Sequence, residues 1–484
     1  MVFSSHLFLF YFLPLTLLLY YAAGKRGRHL VLTLLSYAFY GWANPWFVLL
    51  MLASTFIDYW CGIAIMRGGA EANPNLEILP KDQQRTRRQR IALTVSIVSN
   101  LSLLGFFKYF NFGVENYNGM MASLGLDSAI WDTTLRVTLP LGISFYTFQS
   151  MSYSIDVFRG DARGMKNPVD FACYVAMFPQ LVAGPIIRFA DVADQLRERS
   201  HTMTKFARGA AMFALGMCKK IMLANPCGKV ADTVFDAGSA GVVESWHGVV
   251  AYAMQIYFDF SAYSDMAIGL GLMLGFVFPK NFDSPYKSQS ITEFWRRWHI
   301  SLSSWLRDYL YVPLGGNRKG EARTYVNLTA VMLFGGLWHG SSWNFVIWGA
   351  IHGGWLAAER AMGKDSFYSR MPRVMRVMIT FVIVLLAWVF FRSSDLPSSM
   401  TYIASMFGIA DAQAGAPLLD LVIWQPYYIV SFLTALGVAF FAPQSWDWTR
   451  TLTPGKAVLI ALGLWVSIAF LFTQSYNPFI YFIF

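Results

Sequence analysis

Along this chain, apolar residues gather in runs long enough to cross a bilayer, parted by short polar turns. A helical crossing needs about 20 mostly apolar residues. The pattern predicts crossings at about 6–23, 29–43, 45–66, 91–110, 137–158, 204–224, 246–278, 373–392, 421–442 and 457–473. Three stretches break this rhythm. In 168–187, Pro179 and Gly184-Pro185 interrupt the apolar run, and a helix does not continue through proline undisturbed. Basic residues flank it on both sides (Arg159, Arg163 and Lys166; Arg197, Arg199, Lys205 and Arg208). A re-entrant, half-depth segment is expected, enclosed by protein or a water-filled cavity.

The second is 290–310, which reads as one helix. Trp295, Trp298, Leu302, Trp305 and Tyr309 recur on one side, and Arg297, Ser301, Ser304 and Asp308 on another. Such a helix is expected at the interface rather than across the membrane, with His299 bordering both stripes. The third is a pair of runs, 325–338 and 343–358, joined by a Gly/Ser tip. At about 15 residues and about 22 Å each, they fall short of the roughly 30 Å core. Basic residues lie at both outer ends, so the pair is expected to turn back inside the membrane, carrying His339 at its tip. The run 246–277 is expected either tilted or broken near Asp259–Asp265.

Lysine and arginine bias sets sidedness. The loops with Lys25, Arg26 and Arg28 and with Arg85, Arg87, Arg88 and Arg90 are two crossings apart and are assigned to the cytoplasm. Loops with Glu115, Asp127 and Asp132, with Asp232, Asp236 and Glu244, and with Asp395, Asp411 and Asp420 then fall outside. Both termini are expected on the periplasmic side. The run Leu7–Tyr21 reads as a first span rather than a cleavable signal peptide.

Composition sharpens the class. Hydrophobic residues make up 56% and charged residues 14%, against roughly a quarter charged in soluble domains. The 17 tryptophans and 41 phenylalanines suit membrane interfaces. The expectation is an all-α, polytopic membrane protein with about ten or more transmembrane helices, folded as one domain over 1–484. The net charge of +10 is spread over short loops, which argues for orientation and against nucleic acid. Cys61, Cys173, Cys218 and Cys227 show no metal or redox spacing, and no metal or bound cofactor is expected.

Candidate chemistry concentrates in 283–358. An ionisable side chain at membrane depth is costly and therefore a functional hypothesis. His339 stands in GGLWHGSSWN, where small residues admit a substrate and tryptophans exclude water. A neutral imidazole there can act as a general base on a hydroxyl, or simply bond a neighbouring helix. For His299, a place lining the donor's way in and a satisfied polar role near headgroups weigh evenly. Arg296, Arg297 and Arg307 are candidates to hold an anionic donor. Gln149, Tyr153, Asp259, Tyr263, Asp265 and Asn344 are candidates to line a polar passage. His352 is expected to pack; His6, His29, His201 and His247 are expected in loops or at interfaces. No Gly-x-Ser-x-Gly elbow, His-Glu-x-x-His or Walker loop is present, which excludes several self-contained hydrolases.

The stretches LPLGISFYTFQSMSYSIDVFRG, FPQLVAGPIIRF, YFDFSAYSDMAIGLGLMLGF, SITEFWRRWHISLSSWLRDYLYVPLGGNR and GGLWHGSSWNFVIWGAIHG resemble the membrane-bound O-acyltransferase (MBOAT) family, in its bacterial branch that O-acetylates polysaccharides. The resemblance implies His339 as the catalytic histidine and His299 as the second signature histidine. It implies acetyl-CoA as a cytoplasmic acetyl donor and a periplasmic acetyltransferase partner at the inner membrane. The acceptor it implies is an exported polysaccharide, alginate-like, with cellulose and peptidoglycan as alternatives. Two other classes compete: a transporter or flippase of an acyl carrier relaying protons through Asp259 and Asp265, and a scaffold for an export complex. A transporter reading would gain from inverted repeats, and none is visible.

Overall fold

A computed structural model describes residues 2–69, 73, 75, 77–126, 129–131, 136–363, 367–410 and 416–479. Asp127, Asp132 and Asp411, assigned above to outer loops, lie outside the described residues. Helix is the regular structure throughout, with no strand among the described residues. That follows from long apolar runs, whose backbone polar groups must be satisfied within their own segment. The chain gathers into two compact units, Met1–Met203 with Leu274–Phe278 and Thr204–Met273 with Pro279–Phe484.

The first unit contains α1 (Leu13–Ala22), α2 (Gly24–Gly41), α3 (Trp46–Arg67), α4 (Arg87–Ser123), α5 (Ile143–Arg159), α6 (Pro168–Ala176) and α7 (Phe189–Arg197). Helix α4 starts in a capping box, Thr86 bonding the Gln89 amide and the Gln89 side chain returning to Thr86. It runs well past the predicted end near 110. Helices α3, α4 and α5 pack on one another around a buried carboxylate. Asp58 accepts from Ser96, from Ser150 and, at 2.8 Å, from Asn100 Nδ2. Ser54 closes the other end of the Asn100 amide at 3.1 Å. The stretch 168–187 is broken as its prolines demand: α6 ends at Ala176, one turn spans Phe178–Leu181, and irregular backbone follows. Phe178, Gln180, Leu181, Ala183 and Ile187 there are fully buried.

The second unit begins with α8 (Met203–Cys218), which passes through a π-helical turn, Lys219–Ala224, into α9 (Asn225–Phe235). Helix α10 (Val242–Met273) is continuous over 32 residues, which settles the 246–277 alternatives against a break. Then come α11 (Ile291–Arg297), α12 (Ile300–Leu306), α13 (Glu321–His339), α14 (Trp343–Met362), α15 (Arg373–Arg392), α16 (Leu396–Met406), α17 (Pro426–Phe441) and α18 (Pro454–Thr473).

Two expectations need correction. Residues 290–310 are not one helix: two seven-residue helices meet at His299, whose φ of 43° is left-handed. The apolar spacing continues across the break, so periodicity alone could not expose it. Helices α13 and α14 are 19 and 20 residues long, about 28–30 Å at 1.5 Å per residue, rather than about 15 residues and 22 Å. Their length therefore does not hold their tip at half depth. Among the described residues, four helices are long and apolar enough to cross a membrane by length and composition: α3, α4, α15 and α18.

Candidate active site

The catalytic stretch expected at 283–358 lies wholly in the second unit. Helices α13 and α14 form a tight antiparallel pair because glycine removes the side chain where backbones meet. A Cβ on Gly349 would stand 2.5 Å from the Met332 carbonyl oxygen, and one on Gly336 would collide with the Phe345 carbonyl. His339 is the last residue of α13. Its ring lies 5.0 Å from Trp338, 5.3 Å from Trp348 on α14 and 5.2 Å from Phe391 on α15. Only 8% of it is exposed. This enclosure excludes bulk water and strengthens any polar interaction made inside it.

His299 is fully buried and belongs to the same aromatic cluster. Its ring is 6.2 Å from Trp338, 4.6 Å from Phe260 and 6.4 Å from Phe282. Trp338 is in ring contact with both imidazoles. The helix break at His299 frees an amide and a carbonyl of the backbone, and the segment 281–283 takes them up. Ile300 N donates to Asn281 O and Asp283 N to Arg297 O, both at 2.9 Å. A non-glycine residue in the left-handed region costs of order 1–3 kcal/mol and persists only where its surroundings hold it. Here those two bonds and the packed rings hold it.

Helix α11 is anchored at its start by Ser290, which caps Glu293 N at 3.0 Å. Glu359 of α14 also accepts from Ile291 N at 2.7 Å and Thr292 N at 2.9 Å. The negative carboxylate at a helix N-terminus is favourable, and it ties α11 to the helix that carries Trp348. Glu359 carried no signal in the sequence beyond one acidic residue late in an apolar run.

The arginines proposed to hold a donor have other engagements or face outward. Arg297 pairs with Glu293 at 2.7 Å and donates to the Asp283 carbonyl at 3.0 Å. Arg307, largely exposed, pairs with Asp308 at 2.7 Å. Arg296 is exposed.

The passage candidates divide between the units. Gln149 and Tyr153 are buried in the first, where Tyr153 accepts from Met165 N at 3.2 Å. In the second, Asp259 pairs with Lys220 at 2.8 Å and Asp265 with Lys219 at 2.7 Å. Both lysines come from the π-helical turn, where one extra residue per turn re-aims side chains. The adjacent lysines at 219–220 were the available signal for these partners. Asn344 donates to Ser393 O at 2.8 Å and Ser399 at 3.2 Å, tying α14 to the α15–α16 corner.

Tyr263 packs on Phe479, ring centroids 4.9 Å apart. Through Phe479 the tail is folded onto this unit: Lys220 donates to Pro478 O, Tyr476 bonds Asp232, and Asn225 reaches Asn477 at 3.2 Å. A cleft of about 440 Å³ opens at the end of α15, lined by Phe235, Asp236, Arg392, Ser393 and Tyr402.

Four further histidines have defined surroundings. His352 is fully buried and accepts from Trp295 Nε1 at 3.3 Å, a packing role as expected. His29 pairs with Asp170 at 2.6 Å, and His201 bonds Tyr20 at 2.9 Å. His247 corrects its assignment to a loop or interface: it is buried on α10, stacked 4.6 Å from Trp424. Among the described residues no group of three or more His, Cys, Asp or Glu could hold a metal ion.

Residues 132–394 match the MBOAT, membrane-bound O-acyltransferase family. The chain belongs to that family. It is 44% identical over its full length, and over the full length of the relative, to a probable alginate O-acetylase, AlgI, of Pseudomonas putida. With the Pseudomonas aeruginosa protein of the same name it shares 48% identity over 85% of this chain and 76% of the other. A peptidoglycan O-acetyltransferase of Helicobacter pylori is 33% identical across all of this chain and 97% of that protein. As an MBOAT protein, the chain is a multi-pass membrane O-acyltransferase, and its His339 and His299 lie in one enclosed aromatic cluster.

Proposed function

We propose that this MBOAT protein moves acetyl from cytoplasmic acetyl-CoA across the bacterial inner membrane for O-acetylation of an exported, alginate-like polysaccharide. A periplasmic acetyltransferase partner completes the transfer. The observation that carries this reading is the enclosure of His339 and His299 by one set of rings. The names borne by the Pseudomonas relatives support the acceptor, and the Helicobacter relative keeps peptidoglycan as the second candidate. In this reading the ten crossings expected from the sequence all span the membrane, basic loops face the cytoplasm and both termini face the periplasm.

His339 acts as general base. Its imidazole takes the proton of a hydroxyl on the group that carries acetyl onward to the partner, as that oxygen attacks the thioester carbonyl carbon. The C–O bond forms, the C–S bond breaks, and the imidazolium returns the proton to the departing thiolate sulfur. The surrounding tryptophans keep water from competing as acceptor. A neutral imidazole suits this role because its ordinary titration lies near physiological pH. Of the two exposed arginines, Arg307 is paired with Asp308, and Arg296 is the one offered for the donor's phosphates.

The test is His339→Ala. Glycan acetate should fall by roughly 10²–10⁴-fold, the usual worth of a general base, while membrane insertion and thermal stability stay near those of the parent. Unchanged acetylation would remove His339 from the mechanism. Following labelled acetyl-CoA in proteoliposomes separates the classes, since an acyl-carrier transporter releases no free CoA. The pairing of Asp259 and Asp265 with lysines already speaks against a free carboxylate relay.

A further inference from the structure

We propose that Asn281 is a positioning residue that locks His299 in the tautomer protonated at Nδ1. Nε2 is then a bare lone pair, able to accept a hydrogen bond from a substrate hydroxyl and unable to donate one to the thioester carbonyl.

The assignment starts from a donor that cannot be mistaken. The backbone N–H of Ser301 points at Asn281 Oδ1, 3.2 Å away, and the Ser301 hydroxyl donates to the same oxygen at 2.8 Å. The other end of the amide, Nδ2, donates to Ser264 Oγ of α10 at 2.9 Å. These contacts set which end of the amide is oxygen, a choice otherwise left open. Asn281 is 1% exposed, so water does not compete. His299 Nδ1 lies 3.3 Å from Asn281 Oδ1 and 3.4 Å from Ser301 Oγ. The Ser301 proton is already committed, so Nδ1 faces oxygen lone pairs on both. A second lone pair there would be repelled; an N–H is welcomed. Neutral imidazole carries one ring proton, and Nε2 is therefore the acceptor. Nε2 is buried without a hydrogen-bond partner among the described residues. A buried polar atom left open costs free energy, and a ligand hydroxyl would satisfy it. Asn281 and Ser264 also line a narrow recess with Lys219, Asp265 and Lys280, so this amide stands at the edge of accessible space.

The functional half of this inference rests on the acetyl-transfer reading; the tautomer does not. The experiment uses full-length protein with ¹⁵N-labelled histidine in lipid bilayers, the His299 signal being identified by its loss in His299→Gln. The expected spectrum shows a protonated Nδ1 and an unprotonated Nε2. In Asn281→Leu the single tautomer gives way to a mixture or to the opposite form. Acetyl transfer then falls by between about 10²-fold, the scale of a misplaced catalytic group, and about 10⁴-fold, the cost of a wrong tautomer in a serine-protease triad. Asn281→Asp, which keeps an acceptor oxygen toward Nδ1, holds the tautomer. Should Asn281→Leu fail to fold, Ser264→Ala loosens the same amide more gently and should weaken the tautomer preference in the same sense. A protonated Nε2 in the parent, or an unaltered His299 spectrum in a folded Asn281→Leu or Ser264→Ala protein, would overturn the proposal. The expected spectra without any acetyl transfer by the parent protein would leave the positioning role standing and sink the acetyl-transfer reading instead.

Discussion

Each unit of this chain buries a polar centre, and the two are finished differently. In the first, Asp58 is ringed by donors from neighbouring helices: Ser96 and Asn100 on α4 and Ser150 on α5. Ser54 satisfies the far side of Asn100. In the second, His299 is held by Asn281 and Ser301 on one ring nitrogen, while the other has no hydrogen-bond partner among the described residues. A closed network cross-links helices and gains nothing from a visitor. A network closed on one side only leaves an atom that a ligand could satisfy. Burial and polarity are shared by both centres; completeness separates them, which fits scaffolding at Asp58 and the chemistry proposed around His299.

Breaking the closed centre should have the largest effect on stability. Asp58→Ala leaves the Ser150 hydroxyl and an Asn100 N–H without their acceptor in an apolar surround, each costing about 1–3 kcal/mol, while Ser96 can still donate to Ser154. The expected result is a sharp loss of folded protein in detergent, read by thermal unfolding. Whatever fraction remains folded should keep the parent's rate per molecule. A variant that is stable but inactive would place Asp58 in the chemistry and erase the distinction.

The buried pair Lys220–Asp259, with side chains 4% and 1% exposed, tests the same idea with charge. Lys220→Met strands a carboxylate, a change that costs about 3–5 kcal/mol. Lys220→Met combined with Asp259→Leu removes both charges and should recover most of that loss, because a buried ion pair is often replaceable by apolar residues of similar volume. Lys220 also holds the Pro478 carbonyl, so incomplete recovery measures the tail's share. His339→Ala makes the opposite change: activity lost, thermal unfolding little moved.

These contrasts also explain what could be read from the chain alone. The helical class, the break in 168–187 and the aromatic enclosure of His339 were legible because each depends on local pattern: apolar runs, prolines, and an imidazole among glycines and tryptophans. Asn281 was not legible. Its role exists only through Ser301, twenty residues on, and Ser264, seventeen residues back, and nothing in a lone Asn near Phe282 announces either. The left-handed turn at His299 was hidden for another reason. Trp295, Trp298, Leu302 and Trp305 keep a helical rhythm across it, so the apolar pattern is preserved while the backbone departs from it. Lys219 and Lys220 were visible as residues but not as partners, since a π-helical turn shifts the facing that ordinary helical spacing would assign.

The smallest effect belongs to a carboxylate closed like Asp58 but standing in solvent. Asp395 caps α16, accepting from the Ser398 backbone N–H at 2.8 Å, with Ser394 beside it at 3.1 Å. The Ser398 bonds hold its pKa below the ordinary value of 3.8. A group whose folded pKa is depressed contributes fully above its unfolded pKa, and the contribution fades as pH falls through the folded one. Asp395→Ala should therefore lower stability by about 1 kcal/mol at neutral pH, the usual worth of a helix cap. The gap between parent and variant should narrow on acidification below about pH 4, where the unfolded carboxyl begins to take up its proton. Thermal unfolding of both proteins across that range checks it. A loss as large as that of Asp58→Ala would mean that saturation of the carboxylate, rather than its burial, sets the cost, and the contrast between the two units would have to be drawn on other grounds.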